Sequence, residues 1–333
     1  MDAPAVTCRG LTKRYGPIVA LADLDLEVPA GTVFGFLGPN GAGKTTTLRL
    51  LTGLARPTSG TATVAGVDVG EASTARRDRL ATGTPRVRFG YLDQDPRFYG
   101  WMRGRELLEL VADLYGMDRS KRRTRVGEML ELVDMSEAGG RSIGGYSGGM
   151  RQRIGLAAAL LGHPQVLFLD EPVSALDPAG RHDILEVIGR LRGTTTVFMS
   201  SHILNDVERV CDRVAILDGG RLLVDSPMEE LLARYAAPVY RLEPERGQQD
   251  ALEVIAVRVR GQAWATAVET DDAGLRIHVT DPLVAGPELY RVIADTGIAV
   301  ARLERQRPTL EDVFLHIVEP GAQAPPTDGE PTP

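Results

Sequence analysis

A glycine-rich segment at residues 38–45 constrains the fold of this chain more than any other feature of its sequence. It reads Gly-Pro-Asn-Gly-Ala-Gly-Lys-Thr and fits the phosphate-loop pattern, in which two glycines enclose four residues and Lys and then Ser or Thr follow. The apolar run Val33–Leu37 precedes the segment and a helical stretch from Lys44 to Leu54 follows it, as the pattern requires. The glycines let backbone N–H groups surround phosphate oxygens, and the helix N-terminus adds partial positive charge. The segment therefore predicts a nucleotide phosphate site in an α/β fold.

The residues of this phosphate loop have different expected roles. Lys44 is expected to reach the β- and γ-phosphates, and the Thr45 hydroxyl is expected to ligate Mg²⁺. A chance glycine-rich turn is the alternative, and the strand before the segment and the helix after it argue against chance. The nucleotide-binding residues predicted in this segment are Gly38, Pro39, Asn40, Gly41, Ala42, Gly43, Lys44, Thr45 and Thr46.

Two acidic residues end a second apolar run, which reads Val-Leu-Phe-Leu from residue 166 and continues with Asp170 and Glu171. A continuous apolar run of this length suits a strand buried on both faces of a parallel sheet. Because ligands of open α/β sheets bind at the carboxyl ends of strands, Asp170 is placed to hold Mg²⁺. Glu171 is placed to orient or deprotonate the attacking water. An ordinary solvated strand end is the alternative interpretation, which the phosphate loop in the same chain disfavours.

Five further short motifs resemble those of ABC transporter ATPases. The segment Tyr-Ser-Gly-Gly-Met-Arg-Gln at residues 146–152 looks like the family's signature motif, which commonly reads LSGGQ. Asp177 resembles the D-loop aspartate, His202 the switch histidine and Gln94 the Q-loop glutamine. Tyr15 resembles the aromatic residue that stacks on adenine, although a packing tyrosine is the alternative. The resemblance runs from about residue 6 to 235 with every motif in the family's order.

The resemblance implies ATP and Mg²⁺ as ligands and a homodimer of ATPase subunits as the working unit. In the family, the signature motif closes on the ATP that the other subunit holds, so two ATP molecules are buried at the dimer interface. His202 would bond the γ-phosphate, while Gln94 would contribute to the metal site and pass the change to a membrane partner. A core or surface role is the alternative for His202. The residues of the second cradle are Ser147, Gly148, Gly149 and Asp177.

Two positions depart from the family's pattern. Met150 stands where the signature often has Gln, and Val173 stands where Thr often follows the acid–Pro pair. Neither residue carries phosphate chemistry, so both ATP sites of a homodimer are expected to be competent.

Composition limits the cellular setting and the partners. The net charge of −7 offers no electrostatic footprint for nucleic acid, so no nucleic-acid partner is expected. The two cysteines follow no metal or redox spacing and are expected to be small buried apolar residues in a reducing compartment. No stretch reaches the roughly 18 apolar residues of a membrane span, and the N-terminus does not read as a signal peptide. The resemblance therefore implies a separately encoded transmembrane permease, with this chain cytoplasmic and peripheral on the inner face of the cell membrane.

The expected fold is an α/β P-loop NTPase of the ABC ATPase type, with an antiparallel β lobe, a helical subdomain and a small α+β C-terminal domain. The ATPase domain is expected over residues 1–237, with short strands before residue 31. Its helical subdomain is expected over about 95–160, from helical periodicity in 103–135 and 147–161. Residues 238–318 read β-α-β-β-α-β, with helices over 248–259 and 287–294, and residues 319–333 are expected to be disordered.

Two parts of the sequence, residues 95–102 and the C-terminal region, bear on what the ATPase would drive. Large apolar side chains in residues 95–102 would either receive the coupling helix of a transmembrane subunit or pack the local core. Residues 308–315 resemble the short helix that closes subunits of bacterial drug, antibiotic and lipid-linked exporters, which favours export over import. Residues 239–318 are hypothesised to regulate the ATPase or support its dimer. The alternatives are a soluble ABC ATPase acting on ribosomes or DNA, and a nucleotide-binding regulatory module without turnover.

Overall fold

The computed structural model describes residues 3–70, 89–234, 239–245, 247, 252–271, 273–306 and 309–318. The chain divides into two compact units, Met1–Met228 and Glu229–Pro333. This division comes earlier than the boundary expected after residue 237, because the helix that begins at Met228 continues into the second unit. The expected disordered tail, 319–333, lies outside the described residues. In the part of the chain that is described, no helix combines the length and apolar composition of a membrane crossing.

The first unit contains an antiparallel sheet with the strand order β2-β1-β4-β5. Sequence patterning predicts short strands here, whereas β1 and β2 have 10 and 11 residues. A register shift between Cys8 and Leu11, where Gly10 takes a left-handed conformation at φ 55°, absorbs an irregularity in the pairing. The two strands therefore stay paired along almost their whole length. The strands are β1 (Val6–Tyr15), β2 (Ile18–Val28), β4 (Ser59–Val64) and β5 (Val67–Asp68).

The second sheet of this unit is mostly parallel, with the order β10-β9-β3-β8-β7-β6. Strands β3, β7 and β8 are buried along their whole length, as continuous apolar runs predict. At its centre, the ring of Phe198 lies 5.3 Å from that of Phe34 and 5.7 Å from that of Phe168. The hairpin expected around residues 218–220 is confirmed by the antiparallel pair β9–β10. The strands are β3 (Val33–Leu37), β6 (Phe89–Leu92), β7 (Val166–Asp170), β8 (Thr196–Ser201), β9 (Arg213–Asp218) and β10 (Arg221–Pro227).

The helices of the first unit mostly follow the sequence periodicity. The stretch predicted over 103–135 is two helices, because Gly116 takes a left-handed conformation at φ 69° between them. Helix α1 ends at Leu51 rather than Leu54, since Gly53 is also left-handed. The described helices are α1 (Lys44–Leu51), α2 (Gly104–Leu114), α3 (Arg119–Leu132), α4 (Gly148–Leu160), α5 (Pro178–Arg190) and α6 (Leu204–Val210), with 3₁₀ turns at Ala138–Gly140 and Ile143–Gly145. Helix α7 (Met228–Arg234) begins at the last residue of this unit and continues into the second.

The second unit has an antiparallel sheet of order β12-β13-β11-β14 with two helices packed together. The predicted order β-α-β-β-α-β is confirmed. Its first helix begins at Leu252, and part of the stretch predicted from residue 248 lies outside the described residues. Its second helix begins at Pro282 rather than Pro287, because Asp281 caps it by accepting a hydrogen bond from the Leu283 N–H. The elements are β11 (Val239–Pro244), α8 (Leu252–Arg260), β12 (Ala265–Asp271), β13 (Gly274–Val279), α9 (Pro282–Thr296), β14 (Val300–Gln306) and α10 (Leu310–Val318).

Candidate active site

Four neighbouring parallel strands, β3, β8, β7 and β6, end on one edge of the sheet of the first unit. The phosphate loop follows β3, and the acidic pair Asp170 and Glu171 lies at the end of β7. His202 follows β8, and Gln94 follows β6 two residues after its end. The sheet topology therefore carries residues that are far apart in sequence to one edge.

The phosphate loop needs glycine where its backbone passes close to neighbouring strands. A Cβ on Gly43 would lie 2.5 Å from the Ala20 carbonyl oxygen, and one on Gly38 would collide with the Leu217 carbonyl. Gly43 also has φ 108°, a conformation that side chains disfavour. As the N-cap of α1, Gly43 provides no side-chain acceptor, so the first N–H groups of α1 remain available to an anion.

Lys44 lies buried beneath this loop. Its Nζ donates hydrogen bonds to the Gly38 carbonyl at 2.6 Å and the Pro39 carbonyl at 3.2 Å. The same nitrogen lies 3.7 Å from Oε1 of Glu171. Burial lowers the pKa of Lys44, while the neighbouring carboxylates of Glu171 and Asp170 act in the opposite direction. The ammonium group thus joins the loop to the acidic strand end.

Glu171 is held in an unusual backbone conformation. Its φ is 48°, in the left-handed region, which costs a residue other than glycine about 1 to 2 kcal/mol. The Glu171 N–H donates to Oγ of Ser200 at 3.0 Å, and its carbonyl accepts a hydrogen bond from Oγ of Ser174 at 3.1 Å. The buried carboxylate lies with Oε2 2.7 Å from Nδ1 of His202. Strain of this kind persists only where the surroundings compensate it, as these hydrogen bonds do.

The Asp170 carboxylate is fully buried and only half satisfied by hydrogen bonds. Its Oδ1 accepts a hydrogen bond of 2.6 Å from Oγ of Ser200, whereas Oδ2 is buried without a hydrogen-bond partner. Burial raises the pKa of Asp170, and the hydroxyl groups of Ser200 and Thr45 act to lower it. A free carboxylate oxygen near a threonine hydroxyl is an oxygen donor set that suits Mg²⁺, which also takes waters and substrate phosphates.

Gln94 and Tyr15, both predicted as ligand residues, lie outside the contacts of this cluster. Gln94 is exposed and lines a groove of about 740 Å³ together with Tyr91, Phe98 and Tyr115. Tyr15 is 47% exposed at the end of β1, and its ring centroid lies 4.8 Å from Nζ of Lys13. Neither side chain is part of the local core, so both are accessible to a ligand or partner.

The signature segment and the D-loop form a second surface. Ser147 caps α4 by accepting a hydrogen bond of 3.2 Å from the Met150 N–H, and Asp177 caps α5 in the same way. A Cβ on Gly149 would lie 2.9 Å from Cδ2 of Leu176, so the two motifs pack against each other. Ser147 and Asp177 are both exposed, and no described contact joins them to Glu171. The residues predicted to bind phosphate therefore fall into two groups within one chain.

An exposed aromatic pair lies close to the groove in sequence. Tyr99 and Trp101 are 66% and 76% exposed, with ring centroids 5.8 Å apart. Met102 of the same segment is buried, so only part of it packs the local core. Two exposed aromatic side chains in contact are unusual on a surface without a partner and are typical of interfaces.

Sequence reasoning missed the serine hydroxyls of this site. Ser200 and Ser174 bond the backbone of Glu171, yet neither was assigned a role from the sequence. The only signal for Ser200 in the sequence is a hydroxyl at the end of an apolar run, two residues before His202. The buried state of Cys8 and Cys211, predicted from their spacing, is confirmed.

Comparison with known proteins shows relatives for both units. Residues 21–174 match the family described as ABC transporter, and residues 227–318 match the family described as ATP-binding protein DrrA1-3-like, C-terminal domain. The chain is 37% identical over 313 residues to an uncharacterized ABC transporter ATP-binding protein, YxlF, of Bacillus subtilis (strain 168), covering 94% of this chain and 99% of the relative. It is also 37% identical over 318 residues to the daunorubicin resistance ATP-binding protein DrrA3 of Streptomyces coeruleorubidus, with 95% and 96% covered. A solved structure of the ATP binding subunit of an ABC transporter matches with a TM-score of 0.61 and 26% identity, over 69% of this chain and 93% of that one.

Proposed function

This chain belongs to the ABC transporter ATP-binding proteins, and from that premise we propose that it hydrolyses ATP to power export through a separate transmembrane subunit. The family and fold class predicted from the sequence are confirmed. The roles of individual residues, the dimer and the coupling to a membrane partner belong to the proposal.

The observation that carries the proposal is the convergence of Lys44, Glu171 and His202. Oε2 of Glu171 lies 2.7 Å from Nδ1 of His202, and Oε1 lies 3.7 Å from Nζ of Lys44. A carboxylate between two such groups can accept or orient a proton of the attacking water while Lys44 faces the phosphate chain. The water oxygen bonds to the γ-phosphorus as the bond to the ADP oxygen breaks, and inorganic phosphate leaves. His202 would donate a hydrogen bond to the γ-phosphate.

Two residues support magnesium binding. The Asp170 carboxylate and the Thr45 hydroxyl would hold Mg²⁺, which when bound neutralises charge on the phosphates. Oδ2 of Asp170 is buried without a hydrogen-bond partner, as expected of an oxygen whose partner is a cation. We include Gln94 as a third metal-site residue on the strength of its position after β6.

The separation of the two phosphate-binding groups supports a homodimer. Ser147 and Asp177 are exposed, and no described contact joins them to Glu171 of the same chain. They would therefore reach the ATP held by a second copy of the chain. The N-terminus of α4 would then present N–H groups to the γ-phosphate of the partner's nucleotide. We propose in addition that residues 239–318 regulate the ATPase or support this dimer.

The groove beside Gln94 and the exposed pair Tyr99 and Trp101 supports a membrane partner. Aromatic side chains are enriched at the centres of protein interfaces, and a helix of a permease could occupy a groove of about 740 Å³. The relative named for daunorubicin resistance matches this chain across both units, which favours export over import. The chain would then work on the cytoplasmic face of the membrane. A soluble ATPase acting on ribosomes or DNA gains no support from the relatives named above.

The purified full-length chain tests the ATPase and the dimer together. Wild type and Glu171→Gln are compared for ATP hydrolysis and for size-exclusion behaviour in ATP and Mg²⁺. We expect wild type to turn over, and Glu171→Gln to lose hydrolysis by about 10²-fold or more and to elute as a dimer in ATP. Equal turnover by both proteins would contradict the role of Glu171, and a monomeric Glu171→Gln protein with bound ATP would contradict the homodimer.

A further inference from the structure

Ser200 occupies a position from which one hydroxyl group reaches two reactive residues. It is fully buried near the end of β8, and the parallel register of β7 and β8 sets it opposite Asp170. Its Oγ donates a hydrogen bond to Oδ1 of Asp170 at 2.6 Å and accepts one from the Glu171 N–H at 3.0 Å. A serine hydroxyl has one proton to donate and two lone pairs, so the proton is committed to Asp170.

The hydrogen bond to Asp170 decides which carboxylate oxygen is free. With Oδ1 occupied by Ser200, only Oδ2 remains without a hydrogen-bond partner. Partners behind a metal ligand fix its orientation.

The hydrogen bond from Glu171 acts on the backbone. Glu171 has φ 48°, so its side chain and the chain that follows it leave the directions that a regular strand would give them. Ser200 accepts that N–H, and Ser174 donates to the carbonyl of the same residue. The left-handed conformation is thus held from both sides, with the Glu171 carboxylate at His202.

We propose that Ser200 is a positioning residue for ATP hydrolysis, which orients the Asp170 carboxylate toward the metal and holds the Glu171 backbone in its left-handed conformation. This inference rests on the proposed function, because it assigns Asp170 and Glu171 the roles given there. Ser200 itself, fully buried behind these two residues, would not touch the nucleotide. Its effect is expected in the magnesium dependence and in turnover, with little change in binding of the nucleotide alone.

The test compares Ser200→Ala, Ser200→Thr and the control Thr196→Val in the full-length chain. Thr196 is buried at the opposite end of the same strand, β8, from Ser200. Its hydroxyl accepts a hydrogen bond of 2.9 Å from the Gly31 N–H and contacts neither Asp170 nor Glu171 among the described hydrogen bonds. Thermal melting identifies any variant that does not fold. Turnover is measured with Mg²⁺ titration, and affinity for a fluorescent ATP analogue is measured in Mg²⁺ and in EDTA.

We expect Ser200→Ala to lower kcat and raise the half-saturating Mg²⁺ concentration by about 10- to 100-fold, the usual effect of removing a partner of a metal ligand. Its affinity for the analogue in EDTA should stay within about twofold of wild type, Ser200→Thr should recover turnover, and Thr196→Val should match wild type.

The inference is overturned if Ser200→Ala keeps the wild-type kcat and Mg²⁺ requirement, or if its affinity in EDTA falls as much as in Mg²⁺. Should Ser200→Thr not fold, the magnesium dependence of Ser200→Ala alone decides. A wild-type chain that binds no nucleotide in the affinity measurement would overturn the proposed function itself. The failure of the proposed function is thus distinguished from the failure of the role given to Ser200.

Discussion

The carboxylate of Glu171 and the imidazole of His202 lie in direct contact, with Oε2 2.7 Å from Nδ1. The carboxylate is buried, whereas 47% of the His202 side chain is exposed. A buried acid thus orients a histidine whose other ring nitrogen can face a ligand. Because His202 is partly exposed and lies outside the phosphate loop, it can be replaced while that loop stays intact.

Replacing His202 with alanine should therefore abolish turnover while ATP still binds. Loss of a positioned group that contacts the γ-phosphate costs about 10²-fold or more in rate, whereas the phosphate loop that binds ATP remains intact. The matched control is His182→Ala on α5, because His182 is exposed and its Nε2 lies 3.4 Å from Oε1 of Glu186, outside the catalytic cluster. Hydrolysis and ATP affinity are measured for both variants. Turnover above half of the wild-type rate in His202→Ala would contradict this role.

Gly43→Ala should destroy nucleotide binding. The new Cβ would lie 2.5 Å from the Ala20 carbonyl oxygen in a backbone with φ 108°, so the loop must move. The control is Gly66→Ala, since Gly66 has φ 76° but its new Cβ would have no atom of the described residues within 4 Å, its chain neighbours aside. The control should lose only about 1 kcal/mol of stability, from left-handed strain alone, and should bind ATP normally. Affinity for a fluorescent ATP analogue and the melting temperature distinguish the two, and normal binding by Gly43→Ala would refute the close-packing argument.

The sequence predicts the members of the catalytic cluster because each follows a short apolar run. The acids Asp170 and Glu171 end one run and His202 follows another, and parallel strands end at a common edge. The contacts within the cluster depend on which strands are neighbours. Strand β8 lies between β3 and β7, an order that the chain sequence does not reveal. Ser200 escapes notice for this reason, since its partners lie on β7.

Sequence patterning is less reliable where two residues could start the same helix. Pro287 is a plausible first residue, yet α9 begins at Pro282 and continues through Pro287. A proline leaves the carbonyl four residues before it unpaired, and here that residue is Leu283 in the first turn, where the side chain is 84% exposed. Water can satisfy a carbonyl at such a position, so the helix tolerates the second proline.

Trp101→Ala combined with Tyr99→Ala should separate transport from hydrolysis. Both side chains are exposed and lie outside the catalytic cluster, so the isolated chain should keep its ATPase rate within about twofold. Association with the permease should weaken by about tenfold or more if the pair forms an interface centre, where large aromatic residues dominate binding. Tyr290→Ala on α9 is the control, an aromatic residue of similar exposure in the other unit. Co-purification and transport are measured after co-expression with the permease, and unchanged association would contradict docking at this pair.

The ion pair between Arg241 and Asp271 should make the second unit sensitive to acid. The buried Arg241 guanidinium bonds both carboxylate oxygens of Asp271, at 2.5 and 2.6 Å. The hydrogen bond from Arg241 holds the pKa of Asp271 well below its usual value. A lowered folded-state pKa contributes stability that is present above the unfolded-state value of about 3.9 and is lost as pH falls through the folded-state value.

Asp271→Asn should therefore be less stable than wild type at pH 7, and the difference should narrow as pH falls below about 4. The expected loss at pH 7 is about 1 to 2 kcal/mol, because water screens the half-exposed Asp271. The buried Arg241 would lose this partner and keep the carboxylate of Glu243, whose Oε1 lies 3.8 Å from its Nε. Asp295→Asn is the control, an exposed aspartate with no ion pair among the described residues. Urea unfolding of the full-length proteins from pH 7 to 3 measures the difference. A constant gap across this range would show that Asp271 stabilises the unit through its shape or its backbone hydrogen bonds instead of its charge.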